Sequence, residues 1–120
     1  TGKKIPFVKE DLNMKTAIKI LSDKKLGILI VQNKSKKTTG IITDGQIRRF
    51  NQKKIHLPSI KVRDVMTKSP ISIDKDSLAA KALALMNNKK ITSLCVYEKK
   101  NKFKTIGVLH IHNILESNIS

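Results

Sequence analysis

Two halves of this chain repeat one another, and that constrains its fold more than any other feature. Met14-Lys15-Thr16-Ala17-Ile18-Lys19-Ile20-Leu21 lies over Ala79-Ala80-Lys81-Ala82-Leu83-Ala84-Leu85-Met86, 65 residues later. Leu26 to Val31 lies over Ile91 to Val96 at the same offset. The run Gly40-Ile41-Ile42-Thr43 lies over Gly107-Val108-Leu109-His110, where the offset has grown to 67, so the second connecting loop is two residues longer. A lag that persists through helix-like, strand-like and loop-like stretches marks an internal duplication. With 120 residues in all, each copy is too small to bury a sufficient core alone, so the two are expected to share an interface between their apolar strands.

The local pattern gives each copy the same order of elements. Ile5-Pro6-Phe7-Val8 reads as a short extended entry. Asp11 or Asn13 can cap a helix from about residue 14 to Lys24, whose Met14, Ala17, Ile18 and Leu21 recur at i, i+3, i+4 and i+7. Gly27 ends that helical region or lets the backbone approach closely. Ile28 to Val31 is a continuous apolar run of the kind buried on two faces. Asn33 to Lys37 is a polar turn, Thr39 to Thr43 returns as a strand, and a helix from Asp44 reaches about Asn51. In the second copy Ile71 and Ile73 mark the entry strand. Asp76 or Ser77 caps a helix carrying Ala79, Ala82, Leu83 and Met86. Strands at about 92–97 and 104–109 flank a turn from Lys99 to Lys102, and a closing helix runs from about His110 to Glu116. The expected architecture is α+β: two β-α-β-β-α repeats with pseudo-twofold symmetry. Residues 1–52 form the first, 53–66 a linker with a short helix, and 67–120 the second.

The charge raises a question that the pattern does not. Lysine and arginine number 25 against 9 acids, a net +16, which points to nucleic acid as a partner to be considered. Only Arg48, Arg49 and Arg63 are arginines, however, and the lysines are spread over every loop and helix face, as on a solvated surface. The aromatic residues Phe7, Phe50, Phe103 and Tyr97 make no stacking platform for single strands. No apolar run is long enough to span a membrane, and no apolar signal region follows Thr1-Gly2-Lys3-Lys4, so a cytoplasmic setting is expected. The lone Cys95, between Leu94 and Val96, reads as a small buried residue rather than a nucleophile.

The candidate chemistry lies at the two strand-to-helix junctions. At Gly40-Ile41-Ile42-Thr43-Asp44-Gly45-Gln46-Ile47 an apolar strand turns polar at Thr43 and Asp44, either of which can cap the helix that follows. A helix N-terminus there exposes N–H donors and a positive dipole end, a ready site for an anion. Gly107-Val108-Leu109-His110-Ile111-His112-Asn113-Ile114 repeats the form. His110 and His112 are not expected to bind metal: two residues apart on a helix they point in different directions, and no third ligand is evident. No Ser/His/Asp set, Cys/His pair or phosphate-cradling Gly-rich loop can be assembled, so the chain is not expected to be an enzyme by itself.

The duplication, the two junctions and Asp64-Val65-Met66-Thr67-Lys68-Ser69-Pro70 between the halves together resemble a tandem pair of CBS domains over essentially the whole chain. Gly40 to Arg49, Lys90-Ile91-Thr92 and Gly107 to His112 further resemble the C-terminal CBS pair of bacterial arabinose-5-phosphate isomerases. In that family an N-terminal sugar-isomerase (SIS) domain interconverts ribulose 5-phosphate and arabinose 5-phosphate for the synthesis of Kdo, an acidic sugar of lipopolysaccharide. The resemblance implies a regulatory module with no cofactor of its own, attached to that isomerase domain, forming a homodimer and sensing a nucleotide or nucleotide-sugar. Feedback on a committed step by a late product points to CMP-Kdo. The residues implied are Thr43, Asp44, Gln46, Arg48, Arg49, Thr92, Ser93, His110, His112 and Asn113. CBS pairs that take adenine nucleotides commonly carry Asp where this chain has Gln46 and Asn113, and His110 stands where the first half has Thr43. The competing functions are a basic nucleic-acid-binding domain and a purely structural oligomerisation domain.

Overall fold

The computed structural model describes residues 5–24, 27–53, 56, 59–77, 79–98 and 101–110. Contacts divide the chain into two compact units that meet along the chain at Ser69 and Pro70. In the first, β1 (Phe7–Lys9), α1 (Met14–Lys24), β2 (Ile28–Gln32), β3 (Thr38–Thr43) and α2 (Asp44–Gln52) are followed by the short α3 (Val62–Val65) and β4 (Thr67–Lys68). In the second, β5 (Ser72–Asp74), α4 (Ala79–Lys89), β6 (Ser93–Glu98) and β7 (Asn101–His110) repeat the order β-α-β-β. The closing helix expected after His110 lies outside the described residues. Among the described residues no helix is long and apolar enough to cross a membrane.

The duplication holds at the level of register. Phe7, Val8 and Lys9 of β1 run parallel to Ile30, Val31 and Gln32. Ser72, Ile73 and Asp74 of β5 stand likewise against Cys95, Val96 and Tyr97, each position 65 residues on. The antiparallel pairs Ile28–Thr43, Leu29–Ile42, Ile30–Ile41 and Val31–Gly40 return as Ser93–His110, Leu94–Leu109, Cys95–Val108 and Val96–Gly107. Even the irregularity recurs, with a register shift after Val31 and another after Val96. A bulge bends a strand and sharpens its twist, so each copy carries its bend at the same place.

Local chemistry accounts for the elements. Asn13 Oδ1 accepts the Lys15 N–H at 2.7 Å, which makes Asn13 the cap of α1. Met14, Ala17 and Leu21 bury one face of that helix against Leu29, Val31 and Ile42. Ile28 to Val31 are almost wholly enclosed, as a continuous apolar run implies. The β2–β3 hairpin closes on Asn33, whose Oδ1 accepts the N–H groups of Ser35 and Lys37 at 2.9 and 3.1 Å. In the second unit Ala82, Met86, Leu94 and Ile73 form the enclosed core among the described residues. The turn before α4 is organised by Asp74, whose Oδ1 accepts the Asp76 N–H at 2.9 Å. That helix ends on Lys90 in the left-handed region, φ 56°. The N–H groups of Ile91 and Lys90 return to the carbonyls of Met86 and Asn87 at 3.0 and 3.3 Å, the two bonds of a Schellman motif.

Two expectations need adjustment. β7 begins at Asn101 rather than near Lys104. Exposed Lys102 was expected in the turn from Lys99 to Lys102, but charged side chains are well accommodated along an exposed strand. The stretch from Ile60 to Ser69, which contains most of the motif between the halves, is built into the first unit. The Met14 N–H bonds Ile60 O at 2.8 Å, and the N–H groups of Val62 and Arg63 bond Leu12 and Glu10 at 2.8 and 2.9 Å. Val62 and Val65 join the first core. β4 pairs with β3 as its outer neighbour.

Candidate functional site

The junction between β3 and α2 is built from a reciprocal pair. Thr43 is extended at φ −124°, ψ 159° and caps α2. Its Oγ1 accepts the Gln46 N–H at 3.3 Å, while Gln46 Oε1 accepts the Thr43 N–H at 2.8 Å. This is a capping box, which satisfies two donors that a helix end otherwise leaves open. Asp44, exposed in the first turn, complements the positive end of the helix dipole. Its N–H reaches Gly27 O at 3.2 Å. Gly27 has φ +73°, and a Cβ there would stand 3.2 Å from Asp44 Oδ2, so glycine meets both a backbone and a space requirement. A Cβ on Gly45 would sit 3.5 Å from Arg49 Nη1, which places that guanidinium beside the first turn. Arg48 and Arg49 are exposed. Thr43, Asp44, Gln46 and Arg49 are therefore gathered at one helix end, combining hydroxyl, carboxylate and guanidinium.

Gln46 departs from what was expected of it. It is 6% exposed, and its amide is fully occupied. Oε1 also accepts the Thr43 hydroxyl at 3.2 Å. Nε2 donates to Val65 O at 3.2 Å and to Thr67 Oγ1 at 2.6 Å. A glutamine amide has two acceptor positions and two N–H donors, and all four are in use. No hydrogen-bonding capacity is left for the hydroxyls of a ligand. Thr67 as its partner was not foreseen from the sequence. Gly40 belongs to the same arrangement. A Cβ there would lie 2.7 Å from Met66 Sδ and 2.8 Å from Thr67 O, so β4 can lie against β3 only over a glycine.

At the second junction Ser93 and His110 are direct cross-strand partners, and exposed Thr92 precedes them. His110 is the last residue of β7; His112 and Asn113 lie outside the described residues. A Cβ on Gly107 would have Val96 Cβ as its nearest neighbour among the described residues, at 3.8 Å, an ordinary contact. Behind this junction Cys95 is buried. Burial pushes its thiol up to about 11, with a hydrogen bond to Thr105 acting the other way. The sulfur is thus protonated at neutral pH and carries no thiolate for nucleophilic work.

Comparison with known proteins places this geometry. An uncharacterized protein of Rickettsia prowazekii is 37% identical over 120 residues, all of this chain and 36% of that protein. The arabinose 5-phosphate isomerase KdsD of Yersinia pestis is 34% identical over 119 residues, 99% of this chain and 35% of the isomerase. The chain thus spans about a third of the length of these relatives. Among solved structures, a CBS-domain containing protein from Agrobacterium tumefaciens superposes with a TM-score of 0.86 at 18% identity, over 99% of this chain and 87% of that one. The protein CBSX2, crystallised in complex with AMP, does so at 0.80 and 25% identity, over 96% and 87%. The CBS domain family matches residues 2–53 and again residues 62–119. Two matches in one chain, on two units with the same strand register, identify it as a tandem pair of CBS domains.

Proposed function

We propose that this chain is the regulatory, ligand-binding CBS module of an arabinose-5-phosphate isomerase, and that it senses a nucleotide or nucleotide-sugar of the CMP-Kdo type for a catalytic SIS domain of the same polypeptide. The observation that carries this reading is the likeness along the whole chain, at 34% identity, to about a third of the Yersinia pestis isomerase. The AMP complex of a related pair supports the nucleotide part. The chemistry at the junctions suits a phosphorylated, partly anionic ligand. Arg49 lies beside the first turn of α2, Arg48 is its exposed neighbour, and the helix end adds its dipole. In the second repeat Thr92, Ser93 and His110 supply polar edges for a base or a sugar; His112 and Asn113 are included on the sequence motif alone. Thr43 contributes a hydroxyl and Asp44 an acceptor for ligand hydroxyls. In this reading Gln46 holds the junction together rather than touching the ligand.

Calorimetry with CMP-Kdo, CMP, AMP and ATP tests the assignment. The expected result is saturable binding of CMP-Kdo, weakened about tenfold, roughly 1.4 kcal/mol, by Arg49→Ala. Tighter binding of AMP or ATP than of CMP-Kdo overturns the choice of ligand. The formal +16 charge favours one other reading, a nucleic-acid surface. That reading requires DNA affinity that falls steeply and linearly with log salt.

A further inference from the structure

We infer that Gln46 is a latch coupling occupation of the first junction to the strap that leads into the second repeat. The inference rests on the reading that a ligand uses the Thr43 hydroxyl. The strap is Val62–Lys68, comprising α3 and β4. Its start is tied down independently of the junction, through Val62 and Arg63 to Leu12 and Glu10. Its end is held by β4 pairing over Gly40 and Ile41 and by the two bonds from Gln46 Nε2 to Val65 O and Thr67 Oγ1. β4 is two residues long, so the glutamine is a large share of what fixes this end.

The same amide is bound at its other edge to Thr43. Oε1 takes the Thr43 hydroxyl proton at 3.2 Å and the Thr43 N–H at 2.8 Å. A ligand acceptor that draws the Thr43 hydroxyl proton takes a partner from Oε1. Oε1 keeps the Thr43 N–H, but the amide loses one of the two bonds that anchor this edge, and bonds in such a chain strengthen or weaken together. Its grip on Val65 and Thr67 loosens accordingly. Ser69 follows immediately, in the left-handed region at φ 51°, and then Pro70, so a change at Thr67 is delivered directly to the connection between the units. The strap then has two arrangements: latched when the Thr43 hydroxyl is free of ligand, and released when it is taken.

The test has a ligand-free arm and a ligand arm. Thr67→Val removes the latch acceptor but keeps the β-branched shape; Thr67→Ser keeps the hydroxyl. Hydrogen exchange over residues 64–69 of the 120-residue chain is expected to speed up at least fivefold in Thr67→Val and to remain near wild type in Thr67→Ser. Exchange over Met14–Lys24 stays unchanged in both. Exchange over 64–69 that is equal in all three proteins overturns the latch whatever binds. In the ligand arm, saturating AMP or CMP-Kdo is expected to speed exchange over 64–69 in the wild type, and Thr67→Val is expected to bind that probe several-fold more tightly. Binding without either change overturns the coupling. If neither probe binds, the ligand reading falls and the coupling with it, while the latch is decided by the ligand-free arm alone.

Discussion

Thr43 and His110 end equivalent strands and bring different side chains to them. At the first, Thr43 faces Ile28 across the ladder and turns its polar side to Gln46. At the second, His110 faces Ser93, so two polar residues stand across from each other on the strands themselves. The glycines that open the motif differ in the same sense. Gly40 is pressed against Met66 and the Thr67 carbonyl, whereas among the described residues the nearest neighbour of a Cβ on Gly107 is Val96 Cβ at 3.8 Å. One duplicated backbone therefore carries different side chains at equivalent strand ends: a hydroxyl in a capping box at Thr43, and an imidazole across from a serine at His110. A repeated pattern conveys the backbone; it does not convey the site.

The enclosed cores differ too, and substitutions that exchange residues between repeats sharpen the contrast. Met14 is fully buried, while its counterpart Ala79 is only partly so. Met14→Ala, which gives the first repeat the second's residue, is expected to cost about 3 kcal/mol of stability in chemical denaturation, from lost transfer energy plus a cavity. A cost below about 1 kcal/mol would mean that the first core closes up as easily as the second.

The next largest effect comes from Cys95, which stands where the first repeat has Ile30. The ordinary thiol value is 9.0 and the folded one about 11. Below pH 9 the thiol is protonated in the folded and unfolded chain alike, and its contribution to stability is fully present. Between pH 9 and 11 the unfolded chain gives up its proton while the folded chain keeps it. Stability therefore falls with rising pH, by on the order of 2 kcal/mol across the window. Denaturation of the wild type against Cys95→Ala over pH 8–11 is expected to show this added slope in the wild type alone. Parallel curves would remove the burial argument.

Gly40→Ala and Gly107→Ala form a matched pair of smaller effect. The first is expected to cost about 2 kcal/mol, because the Thr67 carbonyl cannot move aside as a side chain can. The second is expected to change stability by no more than about 0.5 kcal/mol. Equal costs in denaturant titration would break the comparison. Lys90→Gly acts in the opposite direction. Replacing a side chain held at φ 56° is expected to raise stability by up to about 1 kcal/mol, seen as a higher melting temperature.

The parts legible in the sequence were those governed by short-range periodicity. Met14, Ala17, Ile18 and Leu21 located α1, the apolar run at Ile28 located β2, and the shift in offset from 65 to 67 located the longer hairpin. A cap at Thr43 or Asp44 was legible; that Thr43 is the cap, boxed with Gln46, was not foreseen, although the two lie only three positions apart. Gln46's hold on Thr67 was not legible, because it joins residues separated by a helix and a loop, and nothing local distinguishes it from a glutamine facing solvent. The start of β7 was misjudged for a related reason: lysines signal exposure, and an exposed strand and an exposed turn share that signal. The attachment of Val62 and Val65 to the first core likewise depended on backbone bonds to Glu10 and Leu12 that no periodicity reports.

The four bonds around Gln46 join an amide to hydroxyls, a main-chain N–H and a carbonyl; no ionisable group takes part. The surface around them carries a net +16 and responds to every change of ionic strength. A fastening made only of neutral dipoles does not titrate in the physiological range and is hardly screened. Acidity and salt therefore have little direct hold on these four bonds, and what can change them is competition from another hydrogen-bonding molecule.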